Sequence, residues 1–258
     1  MDLIMHSEIK LKKIYLDFPI YDTESLSLRN KMRNISKNIF SERLNRNVNR
    51  QFVEAIKDIT FDFKHGDRVA LLGPNGSAKT TLLKLIAGIY YPTSGKITRK
   101  GDISCMLDIG FGFEQDATGY ENIILSNITR GLGKKEIDKI IQEIADFSGL
   151  GDFLHMPFRT YSSGMQARLA FSSAIANLPD ILLIDEFFST GDIEFSKKSK
   201  QKVLEMMDSS SILIFASHDL DILGTICNKA LCIENGEISL SGNIKDTISY
   251  YKDKYSKK

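Results

Sequence analysis

Short apolar blocks separated by glycine, proline and charge set the pattern of the chain. Val69-Ala70-Leu71-Leu72, Ile181-Leu182-Leu183-Ile184 and Ile212-Leu213-Ile214-Phe215 run without a polar interruption. Blocks of this length predict strands buried on both faces, as in a parallel sheet. Between them the period becomes helical. Thr81 to Ala87 reads as helix, and in Lys134 to Phe147 the residues Ile137, Ile140, Ile141 and Ile144 fall on one face. A further helix is expected after Gly164. Met1 to Phe18 alternates loosely through Ile9, Leu11 and Tyr15-Leu16-Asp17-Phe18 and reads as strand, and strands with sharp turns resume from Ala55. Ala230 to Ser241 reads as a hairpin around Asn235-Gly236, a dipeptide that suits a type I′ turn. Strands alternating with helices predict an α/β core.

One segment breaks the pattern. Tyr21 to Arg50 is rich in Asn, Ser, Lys and Arg, with seven basic residues against three acids. Leu28, Met32, Ile35 and Ile39 recur there at helical spacing, opposite Arg29, Lys31, Arg33 and Lys37. It reads as an insertion, about residues 22–50, carrying a basic amphipathic helix.

Composition narrows the class. The chain has 258 residues, 42% hydrophobic and 26% charged, with 34 basic against 33 acidic side chains. That is enough apolar material for a sizeable core, and the net charge of +1 excludes a polyelectrolyte partner such as nucleic acid. No apolar run approaches the roughly 20 residues that span a bilayer, and Met1 to Lys13 shows no secretory signal. Cys105, Cys227 and Cys232 form no metal-like pairing, and the four histidines are scattered. A reducing cytosol and no zinc site are expected.

The chemistry concentrates at four places. Gly73-Pro74-Asn75-Gly76-Ser77-Ala78-Lys79-Thr80-Thr81 follows a predicted strand and opens a predicted helix. A tight glycine-rich turn points backbone N–H groups at one spot, and the helix dipole adds positive potential there, so the loop suits phosphate. Lys79 can reach β- and γ-phosphate oxygens, and the Thr80 hydroxyl can ligate Mg²⁺. Ala78 stands where glycine is usual. Its methyl is tolerable at negative φ and costs energy at positive φ. Second, the strand Ile181 to Ile184 ends in Asp185-Glu186, placing two carboxylates at a carboxyl edge where α/β ligand sites lie. Asp185 would hold Mg²⁺ and Glu186 would polarise an attacking water. Third, Ser162, Ser163 and Gly164 precede a helical run and form a further anion-binding helix start, or a simple N-cap. Fourth, His218 follows the strand Ile212 to Ala216, where it could reach a γ-phosphate.

Taken in order, these motifs make the sequence resemble the ATPase subunit of ABC transporters, from about Glu8 to Tyr251. The resemblance implies a P-loop NTPase (RecA-like) α/β core, an N-terminal antiparallel β subdomain and an α-helical signature subdomain near 115–175, within one ATP-binding domain over 1–258. It assigns Lys79 and Thr80 to the Walker A lysine and Mg²⁺-binding hydroxyl. Asp185 and Glu186 match Walker B and its general base, and His218 the switch histidine. Ser162 and Gly164 match the signature, and Asp192 the dimer-contacting loop. Phe18 sits where the family stacks an aromatic on adenine, with Tyr21 and Phe52 as rivals. Leu107 to Ile123 replaces the usual glutamine-bearing loop, and its spacing points near Asp108 or Ile109, with Gln115 too far along. The signature spelling, this loop and the insertion are similar to those of polysaccharide-exporter ATPases of the O-antigen, capsule and teichoic-acid type.

That likeness implies a head-to-tail homodimer binding two ATP with Mg²⁺, a separate integral-membrane permease and a lipid-linked polysaccharide as cargo. The subunit would lie peripherally on the cytoplasmic face of the inner membrane. Other ABC exporter ATPases and soluble ABC ATPases are the alternatives. Soluble members usually fuse two cassettes or add coiled coils, and neither pattern is present. Intact Lys79, Glu186 and His218 argue against a nucleotide-binding regulator without turnover. Only sixteen residues, Asn243 to Lys258, follow the predicted hairpin. They are too few for a glycan-binding β-sandwich of ~100 residues, so none is expected here.

Overall fold

The computed structural model describes residues 7–19, 52–106, 112–129, 131–176, 178–186 and 193–255. The basic segment 22–50, together with Tyr21, Asp108, Ile109 and Asp192, lies outside the described residues.

Strand β1 (Glu8–Pro19) is the centre of a three-stranded antiparallel sheet, between β2 (Phe52–Lys64) and β4 (Ser94–Lys100). Its inward residues are Ile9, Leu11, Ile14 and Leu16, all buried. Their spacing slips by one residue at Lys13, whose φ is +48°. Strand β2 slips in the same way at Asp58, φ +45°, between Ile56 and Ile59. The two irregularities face each other, pairing Ile14 with Ile59 and Leu16 with Ile56, so the apolar face stays continuous across the break.

The larger sheet has six strands. They are β3 (Arg68–Leu72), β5 (Ile103–Met106), β6 (Ile181–Asp185), β7 (Ile212–Ala216), β8 (Lys229–Glu234) and β9 (Glu237–Asn243), in the spatial order β5-β6-β7-β3-β8-β9. All neighbours are parallel except the β8–β9 hairpin. Each uninterrupted apolar block supplies both faces. Val69, Leu71, Leu183, Ile214 and Leu231 join a core with the three-stranded sheet and helix α1 (Lys79–Ala87). Ala70, Leu72, Leu182, Leu213 and Phe215 join the opposite core. Every buried Leu, Ile or Phe of these strands stabilises the fold by about 1.5–3 kcal/mol before entropy is counted. This is why the blocks carry no polar alternation.

Helices α2 (Gly119–Thr129), α3 (Lys134–Ser148) and α4 (Ser163–Ala174) pack on a separate core of Ile123, Ile144, Leu150, Leu154, Phe158, Tyr161 and Leu169. Ile137 and Ile144 are buried, while Ile140 and Ile141 pack at its margin. The Tyr161 hydroxyl donates to the Phe153 carbonyl at 2.6 Å, so this ring fills the core without stranding a polar atom. Helices α5 (Ile193–Ser209), α6 (Leu220–Ile226) and α7 (Ile244–Tyr255) complete the chain. Phe195, Val203, Met206, Leu223 and Ile244 of these helices cover the second face of the large sheet. Among the described residues no helix is long and apolar enough to cross a membrane.

Candidate functional site

Strands β6, β7 and β3 are parallel neighbours, so their carboxyl ends open side by side. After β3 comes the loop Gly73 to Ala78, after β6 comes Glu186, and after β7 come Ser217 and His218. Adjacency in the sheet thus brings together groups more than a hundred residues apart in sequence. Asn75 to Thr81, Asp185, Glu186 and His218 line one cleft of about 900 Å³ together with Phe18.

The loop is shaped for close backbone approach. Gly73 has φ +152°, and a Cβ there would lie 2.3 Å from the Ile233 carbonyl oxygen and 2.5 Å from Ser77 Oγ. The Ser77 hydroxyl is buried with no hydrogen-bond partner among the described residues. Ala78 takes φ +83°, the conformation that favours glycine, and immediately precedes α1. Of the two possibilities left open by the sequence, the costly one is realised. Lys79 Nζ donates to the carbonyls of Gly73 at 2.8 Å and Pro74 at 3.2 Å. Burial pushes its pKa down, and the Asp185 and Glu186 carboxylates oppose that shift. The Thr80 hydroxyl donates to the Asp185 carboxylate. A hydroxyl and a carboxylate meeting there form the hard oxygen set that Mg²⁺ takes.

Glu186 leaves β6 with φ +66° and donates its backbone N–H to the Ala216 carbonyl at 2.7 Å. This left-handed turn at the strand end sets its carboxylate 3.5 Å from His218 Nε2. Asp219, adjacent to His218, caps α6 instead, accepting from the N–H groups of Asp221 and Ile222 at 3.0 Å each.

Phe18 lines the cleft and meets Tyr90 edge-on with ring centroids 5.4 Å apart. Phe52 is half exposed at the end of the same sheet and does not line it. Ser162, Ser163 and Gly164 are not part of this cleft. Ser162 caps α4, its Oγ accepting from Met165 N at 3.3 Å. With Gly149, Leu150, Phe153, Gly164, Met165 and Arg168, it lines a second open cavity of about 640 Å³. Gln115 lies outside both, its carbonyl accepting from Arg159 N.

Sequence reasoning missed several lining groups. Val53, Glu54, Ala55 and Lys57 come from β2, and Asn235 and Gly236 from the β8–β9 turn. Asn235-Gly236 is legible as a turn, with φ of +49° and +82°. That the turn returns to β2, where Lys57 N donates to Gly236 O at 2.9 Å, has no local sequence signal.

A phosphate-cradling loop and paired carboxylates at the carboxyl ends of a parallel sheet define a P-loop nucleotide hydrolase. The model of the ABC transporter family matches residues 56–189, a span holding Lys79, Gly164, Asp185 and Glu186. The chain belongs to the ABC transporter family and is an ATPase of it. It is 39% identical over 228 residues to the O-antigen export system ATP-binding protein RfbE of Yersinia enterocolitica, covering 88% of this chain and 94% of that one. It is 37% identical over 236 residues to the teichoic acids export ATP-binding protein TagH of Bacillus anthracis, covering 92% of this chain but 42% of that longer one. Its fold is that of the ATP-binding cassette MJ0796, solved as a dimer in a post-hydrolysis state with ADP and Pi. There the TM-score is 0.63 at 19% identity, over 92% of this chain and 98% of that one.

Proposed function

We propose that this chain is the ATP-hydrolysing subunit of an exporter that moves a lipid-linked polysaccharide, such as O-antigen or a related glycan, across the cytoplasmic membrane. The observation that carries the reading is the convergence of Lys79, Thr80, Asp185, Glu186 and His218 on one cleft from three adjacent strand ends. The likeness to export-system ATP-binding proteins supports the cargo class.

In this reading the backbone N–H groups of Asn75, Gly76 and Ala78 to Thr81 hold the ATP phosphates. Lys79 exchanges its loop carbonyls for phosphate oxygens, and Phe18 offers the adenine a ring. Thr80 and Asp185 would hold Mg²⁺, which supplies charge neutralisation on the phosphates when bound. Glu186 orients and deprotonates the attacking water, and His218 holds the Glu186 carboxylate and the γ-phosphate in register. Ser162, Ser163 and Gly164, which do not line this cleft within one chain, would complete the site of a second copy. ATP would then close a head-to-tail homodimer, and hydrolysis with phosphate release would open it. The subunit would act peripherally, passing the motion to a separate integral-membrane permease.

Glu186→Gln keeps the shape of the site and removes the base. Hydrolysis should fall by about 10²–10⁴-fold while ATP stays bound, and cells carrying the variant should stop exporting the glycan. Lys79→Ala should instead lose ATP binding, since it removes the charge facing the phosphates. Wild-type ATPase in Glu186→Gln would refute the role of Glu186. Normal glycan export in cells carrying the hydrolysis-dead variant alone would refute the transport role.

A further inference from the structure

The β8–β9 turn is built into the phosphate loop from behind. The Ile233 carbonyl occupies the space a side chain at Gly73 would need, and Gly236 N donates to the Ser77 carbonyl at 3.3 Å. Asn235 and Gly236 also line the cleft. Between these contacts lies Glu234, whose carboxylate is gripped from the C-terminal helix. Lys254 Nζ donates to its two oxygens at 2.8 and 2.6 Å and to the Tyr250 hydroxyl at 3.1 Å. The Tyr250 and Tyr255 rings lie 5.4 and 5.9 Å from the same ammonium. The lysine holds the Glu234 carboxyl below the usual carboxylate range, and the Tyr255 hydroxyl also bonds it. Helix α7 is itself anchored. Ile244 and Thr247 are buried, and Ile248 and Tyr251 pack on the core under the large sheet.

We propose that Lys254 is a positioning residue for nucleotide binding: through Glu234, the C-terminal helix fixes the Asn235-Gly236 turn against the phosphate loop and so sets the affinity of the cleft. The proposal rests on the cleft being the nucleotide site. Exposed ion pairs usually add little to stability, because two long side chains lose rotamer freedom for one screened contact. A lysine that takes both oxygens of one carboxylate between two aromatic rings has instead a geometric effect. It holds the residue next to a turn whose N–H must stay in reach of Ser77. The reacting atoms lie elsewhere, so the consequence is in binding and not in the chemical step.

The test is the dissociation constant of ATP with Mg²⁺ for the full chain, measured well below its melting temperature, with the KM and kcat of hydrolysis alongside. Lys254→Met should weaken binding roughly three- to tenfold and raise KM similarly with kcat near wild type. Glu234→Gln should do the same, and Lys254→Arg, which keeps a two-pronged donor, should stay near wild type. The Glu234→Gln/Lys254→Met double variant should be no worse than either single one. Unchanged affinity in both single variants, or losses that add in the double one, would overturn the latch. Wild-type protein that fails to bind ATP at all would instead overturn the reading of the cleft on which it rests.

Discussion

In the cleft, Ala78 at φ +83° and Glu186 at φ +66° hold left-handed conformations that their residue types rarely adopt. Each such turn costs about 1–2 kcal/mol, and at Glu186 the cost has a geometric return, because the turn carries the carboxylate toward His218. Ala78 has no comparable return in the cleft, although its methyl packs against the first core. Ala78→Gly should therefore remove the strain while losing some packing and freeing the unfolded backbone. The net stabilisation should be about 0.5 kcal/mol, a rise in melting temperature of about 1–2 °C. Thermal unfolding of the nucleotide-free chain would show it. A lower melting temperature would mean that the methyl packing outweighs the backbone strain.

At the scale of elements, legibility followed the clarity of the period. The four-residue apolar blocks became β3, β6 and β7, and α3 lies where Ile137 to Ile144 placed it. Strand β4 was not legible, because only Ile97 among Ser94 to Lys100 is apolar and its edge position needs no more. Helix α5 is hidden because its buried Phe195, Val203 and Met206 are spread over a mostly polar stretch. In α7 the spacing Ile244, Ile248, Tyr251, Tyr255 is helical, yet the segment is short and ends in a basic tail, so its period does not stand out in the sequence. The lysine, carboxylates and histidine of the cleft could be named from local spacing. The β2 and β8–β9 lining could not, since it depends on pairing across the whole chain. That long-range wall is also where a small change should matter. A Cβ at Gly236 would sit 2.5 Å from the Ala55 carbonyl oxygen, at a φ of +82°. Gly236→Ala should cost about 2 kcal/mol or more, a fall in melting temperature of roughly 4–8 °C, from backbone strain and the displaced strand. Unfolding by heat or denaturant checks this, and unchanged stability would show that β2 can move away freely.

At the scale of the whole molecule, the decisive feature is a separation. The phosphate cleft and the Ser162–Gly164 cavity share no lining residue among the described residues, and in the proposed reading one chain would supply two halves of different sites. A head-to-tail pair would give each cleft its missing half from the other copy. This makes a prediction that no single-chain site could satisfy. Lys79→Ala disables the phosphate cleft of its own chain. Gly164→Asp puts a negative charge in the first turn of α4, where the helix dipole tolerates it but a facing phosphate would not. Each variant alone should hydrolyse almost no ATP, because every cleft in its dimers lacks one half. When the two are mixed in equal amounts, half of the dimers are hybrids. In each hybrid, one cleft pairs an intact lysine loop with an intact Gly164, and the other has neither. Mixing should restore roughly a quarter of wild-type activity if the two clefts act independently, and less if both must fire together. The measurement is the steady-state ATPase rate as a function of mixing ratio, which should peak at equal amounts. A rate that stays at the level of the separate variants at every ratio, with hybrids present, would show that Gly164 serves the cleft of its own chain or none.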